Sequence, residues 1–165
     1  MIVAKKILIY GYGNPGRQDD GLGNALVEDL ENRARQEGLD HLFFDSNYQL
    51  NIEDAANIAE MDLVIFADAS TEEINDIDFT PVDESTQVAF TSHAASPGYI
   101  VNLCREIYEK TPAVYLLHIK GYEWAFKEGL TAKAYKNLEL ASSFIQSKIK
   151  EADHLIESFH QIKIT

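Results

Sequence analysis

Short apolar runs rich in β-branched and aromatic residues alternate along the chain with longer stretches of helical periodicity, and this alternation restricts the fold more than any other feature. Ile7–Tyr10, Leu42–Phe44, Leu63–Ala67, Val88–Phe90 and Val114–Ile119 carry few polar side chains, as strands covered on both faces require. Between the first two, Leu22, Leu26 and Leu30 recur at helical spacing, with Gly38 where a left-handed cap would end the helix. Ser96 and Pro97 read as the N-cap and first residue of another helix, whose apolar face holds Ile100, Val101, Cys104, Ile107 and Tyr108. The alternation predicts the α/β class: a three-layer α/β/α sandwich around a mainly parallel five-stranded twisted sheet, with helices on both faces. The 165 residues form a single domain, 1–165, without repeat, low-complexity tract or linker. The acidic stretch Thr71–Glu84 reads as a surface loop with an edge strand near Phe79.

The C-terminal pattern is longer than such a domain needs. From about residue 131 to 160, Leu138, Ala141, Ile145, Ile149, Ala152, Ile156 and Phe159 step by three or four with no glycine or proline between them. One unbroken helix there would extend about 45 Å at about 1.5 Å per residue. Two outcomes satisfy the pattern. Either the helix breaks near Glu151, or its end protrudes and buries Leu155, Ile156 and Phe159 against a second copy, giving a homodimer through the C-terminal helix.

Charge and composition exclude several classes of partner. The chain has 27 acidic residues against 14 Lys and Arg, a formal charge of −13, so nucleic acid would be repelled. No apolar run approaches the roughly 18 residues of a membrane span, and no signal-peptide pattern opens the sequence, which points to a cytoplasmic protein with no membrane partner. The single cysteine, Cys104, cannot form an internal disulfide, which fits a reducing compartment.

The chemistry-bearing residues lie where strands run out. In an open parallel sheet the carboxyl ends of the strands form one edge, where residues distant in sequence converge on a ligand. Asp20 follows the first strand, Asp68 ends the run Leu63–Ala67, and His93 follows Val88–Phe90. An acid that closes a doubly covered strand is paired, capping or functional. Asp19 and Asp20 also stand where a helix beginning near Gly21 takes its N-cap, and both roles fit together: Asp19 caps while Asp20 faces the ligand. His93 lies just before Ser96 and Pro97, at the same edge as Asp68. His118 falls inside a strand, and His41, His154 and His160 fall at a strand start or on the terminal helix, where solvated or packing roles suffice. Two carboxylates and an imidazole suit a borderline divalent ion such as nickel, zinc or iron, without choosing among them.

Other motifs carry less. Gly11, Gly13 and Gly16 spell a dinucleotide fingerprint, but Pro15 and the acids at 19 and 20 do not suit a pyrophosphate. Cys104 falls on an apolar helix face, as a buried small hydrophobe does. There is no G-x-S-x-G elbow. Asp68, Ala69 and Ser70 lack the second carboxylate loop of an aspartic protease.

A resemblance rests on the succession of these elements. Gly11-x-Gly13-Asn14, then Asp19-Asp20-Gly21-x-Gly23, Gln49-Leu50, the strand ending Ile65-Phe66-Ala67-Asp68-Ala69 and the Ser92-His93 loop together resemble the maturation endopeptidases of nickel-iron hydrogenases, over roughly Lys6 to Leu140. The resemblance implies an enzyme that removes the C-terminal extension of the hydrogenase large-subunit precursor after nickel has been inserted. It also implies that Asp20, Asp68 and His93 are the nickel-contacting and catalytic residues. The nickel then belongs to the substrate, although other divalent ions could occupy the same site. Asn14–Gln18 departs from the more apolar residues usual there in the family, and Arg17 bears on substrate choice. The opening Gly11–Gly16 also resembles peptidyl-tRNA hydrolases, but acids stand where that family needs a catalytic histidine, and the net charge opposes tRNA. A third alternative is a non-catalytic sensor or chaperone of nickel loading, which would use the same ligands.

Overall fold

A strand whose side chains are apolar on both faces has no side to give to solvent. Accordingly β1 (Ile7–Tyr12), β3 (Leu63–Ser70) and β5 (Ala113–Lys120) form the centre of the sheet in the computed structural model, which describes residues 4–82 and 95–164. The more exposed β2 (Leu42–Asn47) and β4 (Ile77–Pro81) take the two edges, in the order β2-β1-β3-β5-β4. All pairs are parallel except β4 with β5. The antiparallel edge strand contains the expected Phe79 and ends in Pro81, which has no N–H to donate to a ladder. It completes the five strands; the expected strand Val88–Phe90 lies outside the described residues.

Local signals set most helix ends. α1 (Leu22–Glu37) stops at Gly38, whose φ of 68° is left-handed, and α2 (Asp54–Ala59) follows β2. α3 (Pro97–Tyr108) starts with the Ser96 hydroxyl accepting from the Tyr99 N–H at 3.2 Å. Successive strand residues then alternate between two cores. Ile9, Ile65 and Leu117 pack with Leu26 and Leu30 of α1 and with the C-terminal helices. Tyr10, Phe66 and Val114 pack with Ile58 of α2 and with Ile100 and Cys104 of α3. These are the three layers.

The helix expected from about 131 to 160 is two helices. α4 (Ala132–Lys150) ends at Glu151, which leaves helical geometry at φ −103° and ψ 23°, and α5 (Ala152–Ile164) begins at once. The break turns the last segment back onto the sheet. The Tyr115 hydroxyl donates to the Leu155 carbonyl at 2.8 Å, and the Phe159 ring meets the Tyr115 ring edge-on at 5.8 Å. Leu155 and Phe159 are thus buried within their own chain rather than held out for a second copy. Among the described residues no helix is long and apolar enough to cross a membrane.

Gly11 of β1 and Gly23 of α1 allow the helix to lie directly on strand backbone. A Cβ on Gly11 would stand 2.1 Å from the Gly23 carbonyl oxygen, and a Cβ on Gly23 would stand 2.3 Å from the Ala67 carbonyl oxygen. This close approach, rather than a pyrophosphate, accounts for them. In an open helix Gly→Ala gains about 1 kcal/mol; here backbone must move, and overpacking of this kind costs about 1–3 kcal/mol. Gly23→Ala is therefore expected to lower the urea midpoint, and an unchanged or raised midpoint would contradict the packing described.

Candidate active site

The chain leaves β1 toward β2 on one side and returns to β3 on the other, so a crevice opens beyond the carboxyl ends of β1 and β3. Both sequence-identified acids enter it. After β1, the Asn14 side chain accepts from the Gly16 N–H at 2.9 Å, and the Asp20 carboxylate accepts from the Asn14 N–H at 2.9 Å, which ties Asp20 to the end of the strand. Asp68 arrives on β3 itself. Together they line a cleft of about 460 Å³ with Arg17, Ser70, His118 and Trp124.

The two carboxylates are electrostatically coupled. Burial and, after it, the charge of Asp20 push the Asp68 carboxyl up to about 7, against the opposing hydrogen bonds from the Ala69 N–H and the Tyr12 hydroxyl. Tyr12 is in turn held well above its ordinary value by burial and by Asp68. Neither acid forms an ion pair among the described residues. The cleft therefore brings carboxyl groups together without an ion pair to Asp20 or Asp68 among the described residues.

His118 belongs to this cleft, contrary to the packing or solvated role that the sequence suffices to explain. It is the cross-strand partner of Asp68 in the parallel β3–β5 pair, so the two side chains leave the sheet on the same face, on strands about 4.8 Å apart. His93 lies outside the described residues. Among the described residues no three His, Cys, Asp or Glu side chains converge closely enough to hold an ion.

Asp19 does not cap α1; Gly21 occupies the cap position without a side-chain bond. Asp19 is instead fully buried and faces a distant segment. Its carboxylate accepts from the N–H groups of Tyr122 at 2.8 Å, Glu123 at 3.1 Å and Thr131 at 2.8 Å, and from the Thr131 hydroxyl at 2.9 Å. The Thr131 hydroxyl also caps α4 by accepting from the Ala134 N–H at 3.2 Å. Beside it, the Gln18 side chain accepts from the Ala125 N–H at 3.0 Å, and the Gln18 N–H donates to the Lys127 carbonyl at 2.9 Å. Gln18 holds a left-handed backbone at φ 48° and ψ −118°, which costs on the order of 1–3 kcal/mol in a non-glycine residue. These bonds fix the segment that carries Trp124 into the cleft wall.

Burial raises the Asp19 carboxyl, but its four hydrogen bonds outweigh burial and hold it below the ordinary range. A depressed folded value means that its stabilisation is complete above the unfolded value of about 3.9 and is lost as pH falls through the folded one. Asp19→Asn places an amide among donors and is expected to cost about 2–4 kcal/mol at neutral pH, with a smaller difference from wild type near pH 2. Urea unfolding at both pH values tests this, and equal stabilities at neutral pH would contradict the clamp.

No protein-family model and no curated protein matches the chain. Solved structures do. The hydrogenase maturating endopeptidase HybD from E. coli superimposes with a TM-score of 0.70 at 18% identity, over 89% of this chain and 93% of that one. The NiFe hydrogenase maturation protease HycI from Thermococcus kodakarensis KOD1 gives 0.70 at 18% identity, over 88% and 93%. An uncharacterized protein from Wolinella succinogenes gives 0.56 at 24% identity, over 93% and 99%. Identities this low carry the architecture and not the chemistry, and the chain has the fold of the nickel-iron hydrogenase maturation proteases that its motifs resemble.

Proposed function

We propose that the protein is an endopeptidase that removes the C-terminal extension from a nickel-iron hydrogenase large-subunit precursor already loaded with nickel. The observation that carries this reading is the convergence of Asp20 and Asp68 in one cleft at the sheet switch point, with no ion pair to either among the described residues. A divalent ion entering between them relieves the repulsion that raises Asp68 and favours its ionised form. In this reading Asp20, Asp68 and His93 contact the nickel of the precursor. The ion supplies Lewis acidity at the bond to be cut.

A thiol mechanism has no support in the geometry. Cys104 is fully buried in the α2–α3 layer, its Sγ lies 3.5 Å from the Ala55 carbonyl, and burial pushes the thiol up to about 11. A neutral, enclosed sulfur cannot attack a peptide. The naming of solved structures of the same fold as maturation endopeptidases supports the hydrolytic reading over a passive sensor.

Purified protein mixed with nickel-loaded precursor should release the extension, read by mass. Asp20→Asn and Asp68→Asn, each folded by circular dichroism, should lose at least about 10–100-fold in rate, since amides are poorer ligands than carboxylates and even outer partners of metal ligands cost this much. Wild-type rates in both variants would overturn the assignment of the cleft.

A further inference from the structure

Arg17 is the one Lys or Arg side chain lining the cleft among the described residues, in a chain of net charge −13. A guanidinium that shares a cleft with acids would ordinarily pair with one. Arg17 forms no ion pair among the described residues. Its Nε donates instead to the Trp124 carbonyl at 3.2 Å, and its guanidinium carbon lies 5.6 Å from the centroid of the Phe126 ring. Both partners sit on the segment that Gln18 and Asp19 clamp. The backbone leaves helical geometry at Arg17 and Gln18, and through this break Asp19 enters the core while Arg17 lines the cleft. Phe126 is 87% exposed, an aromatic plate displayed beside the cation.

This arrangement orients a guanidinium without neutralising it. No other side-chain hydrogen bond of Arg17 is formed among the described residues, so its terminal nitrogens present the planar fork that a carboxylate fits. Cation–π contact and the Nε bond restrict its rotamers in advance, which lowers the cost of binding an anion. The acids of the same cleft would take a cation, and Arg17 is left for a group of opposite sign.

We propose that Arg17 binds a carboxylate of the peptide segment that is cut off, and so selects substrates by the charge of that segment. This rests on the endopeptidase reading above. The carboxylate is either an acidic side chain of the extension or its free C-terminus, with Phe126 covering the apolar portion beside it.

Synthetic extension peptides, used as competitive inhibitors of precursor cleavage, separate the two sources. One peptide is native, one is amidated at the C-terminus, and one has its Asp and Glu replaced by Asn and Gln. Against wild type, one of the neutralised peptides should inhibit about tenfold more weakly than the native peptide. Against Arg17→Gln all three should be equally weak. Arg17→Met, which keeps an apolar stem against Phe126, should behave as Arg17→Gln does, and Arg17→Lys should recover part of the discrimination. With intact precursor, Arg17→Gln should raise KM about tenfold while kcat changes little. Undiminished discrimination in Arg17→Gln and Arg17→Met, or no discrimination in wild type, overturns the role of Arg17 while wild-type cleavage leaves the endopeptidase reading standing. A wild type that cuts no precursor overturns that reading, and this inference with it.

Discussion

One buried carboxylate joins the two segments that border the cleft. Asp19 receives four hydrogen bonds from Tyr122, Glu123 and Thr131, and through Thr131 it also meets the start of α4. An ionised acid in a core is tolerable only when its oxygens are fully engaged, so the 121–131 segment must take this path if Asp19 is to be buried. The location of Asp20, Arg17 and Trp124 follows. Asp20 is the next residue, tied to the end of β1; Arg17 lies across the strained Gln18; Trp124 is carried in by the clamped segment. The adjacent glycines permit the same compactness by letting α1 rest on strand backbone.

With these segments fixed, Asp19 and Asp68 have opposite environments. Asp19 is surrounded by donors and is held low, whereas Asp68 is half-buried beside a like charge and is raised to about 7. The first serves architecture. The second keeps a carboxyl in a condition that an incoming cation would improve, which is the physical basis for reading the cleft as a site for a metal brought by another molecule.

Much of this was legible in the sequence, and the remainder was hidden for identifiable reasons. Doubly covered strands declare themselves by apolar runs, and Gly38 and Ser96 mark helix ends through backbone requirements local to a few residues. Asp20 and Asp68 could be assigned to one edge because strand direction alone places them there. Asp19 could not be assigned correctly, since its partners lie 103 to 112 residues away and a local cap accounts equally well for an aspartate before a helix. His118 required the knowledge that β5 pairs with β3. The break at Glu151 has no glycine or proline to announce it; helical periodicity continues across it, and burial of Leu155 and Phe159 on the sheet decides the turn.

The central claim is that the cleft reads nickel carried by the precursor. Cleavage of the same precursor, prepared with and without nickel and followed by mass over time, tests it most directly. The account predicts that only the nickel-loaded form loses its extension at an appreciable rate; equal cleavage of both forms would contradict it.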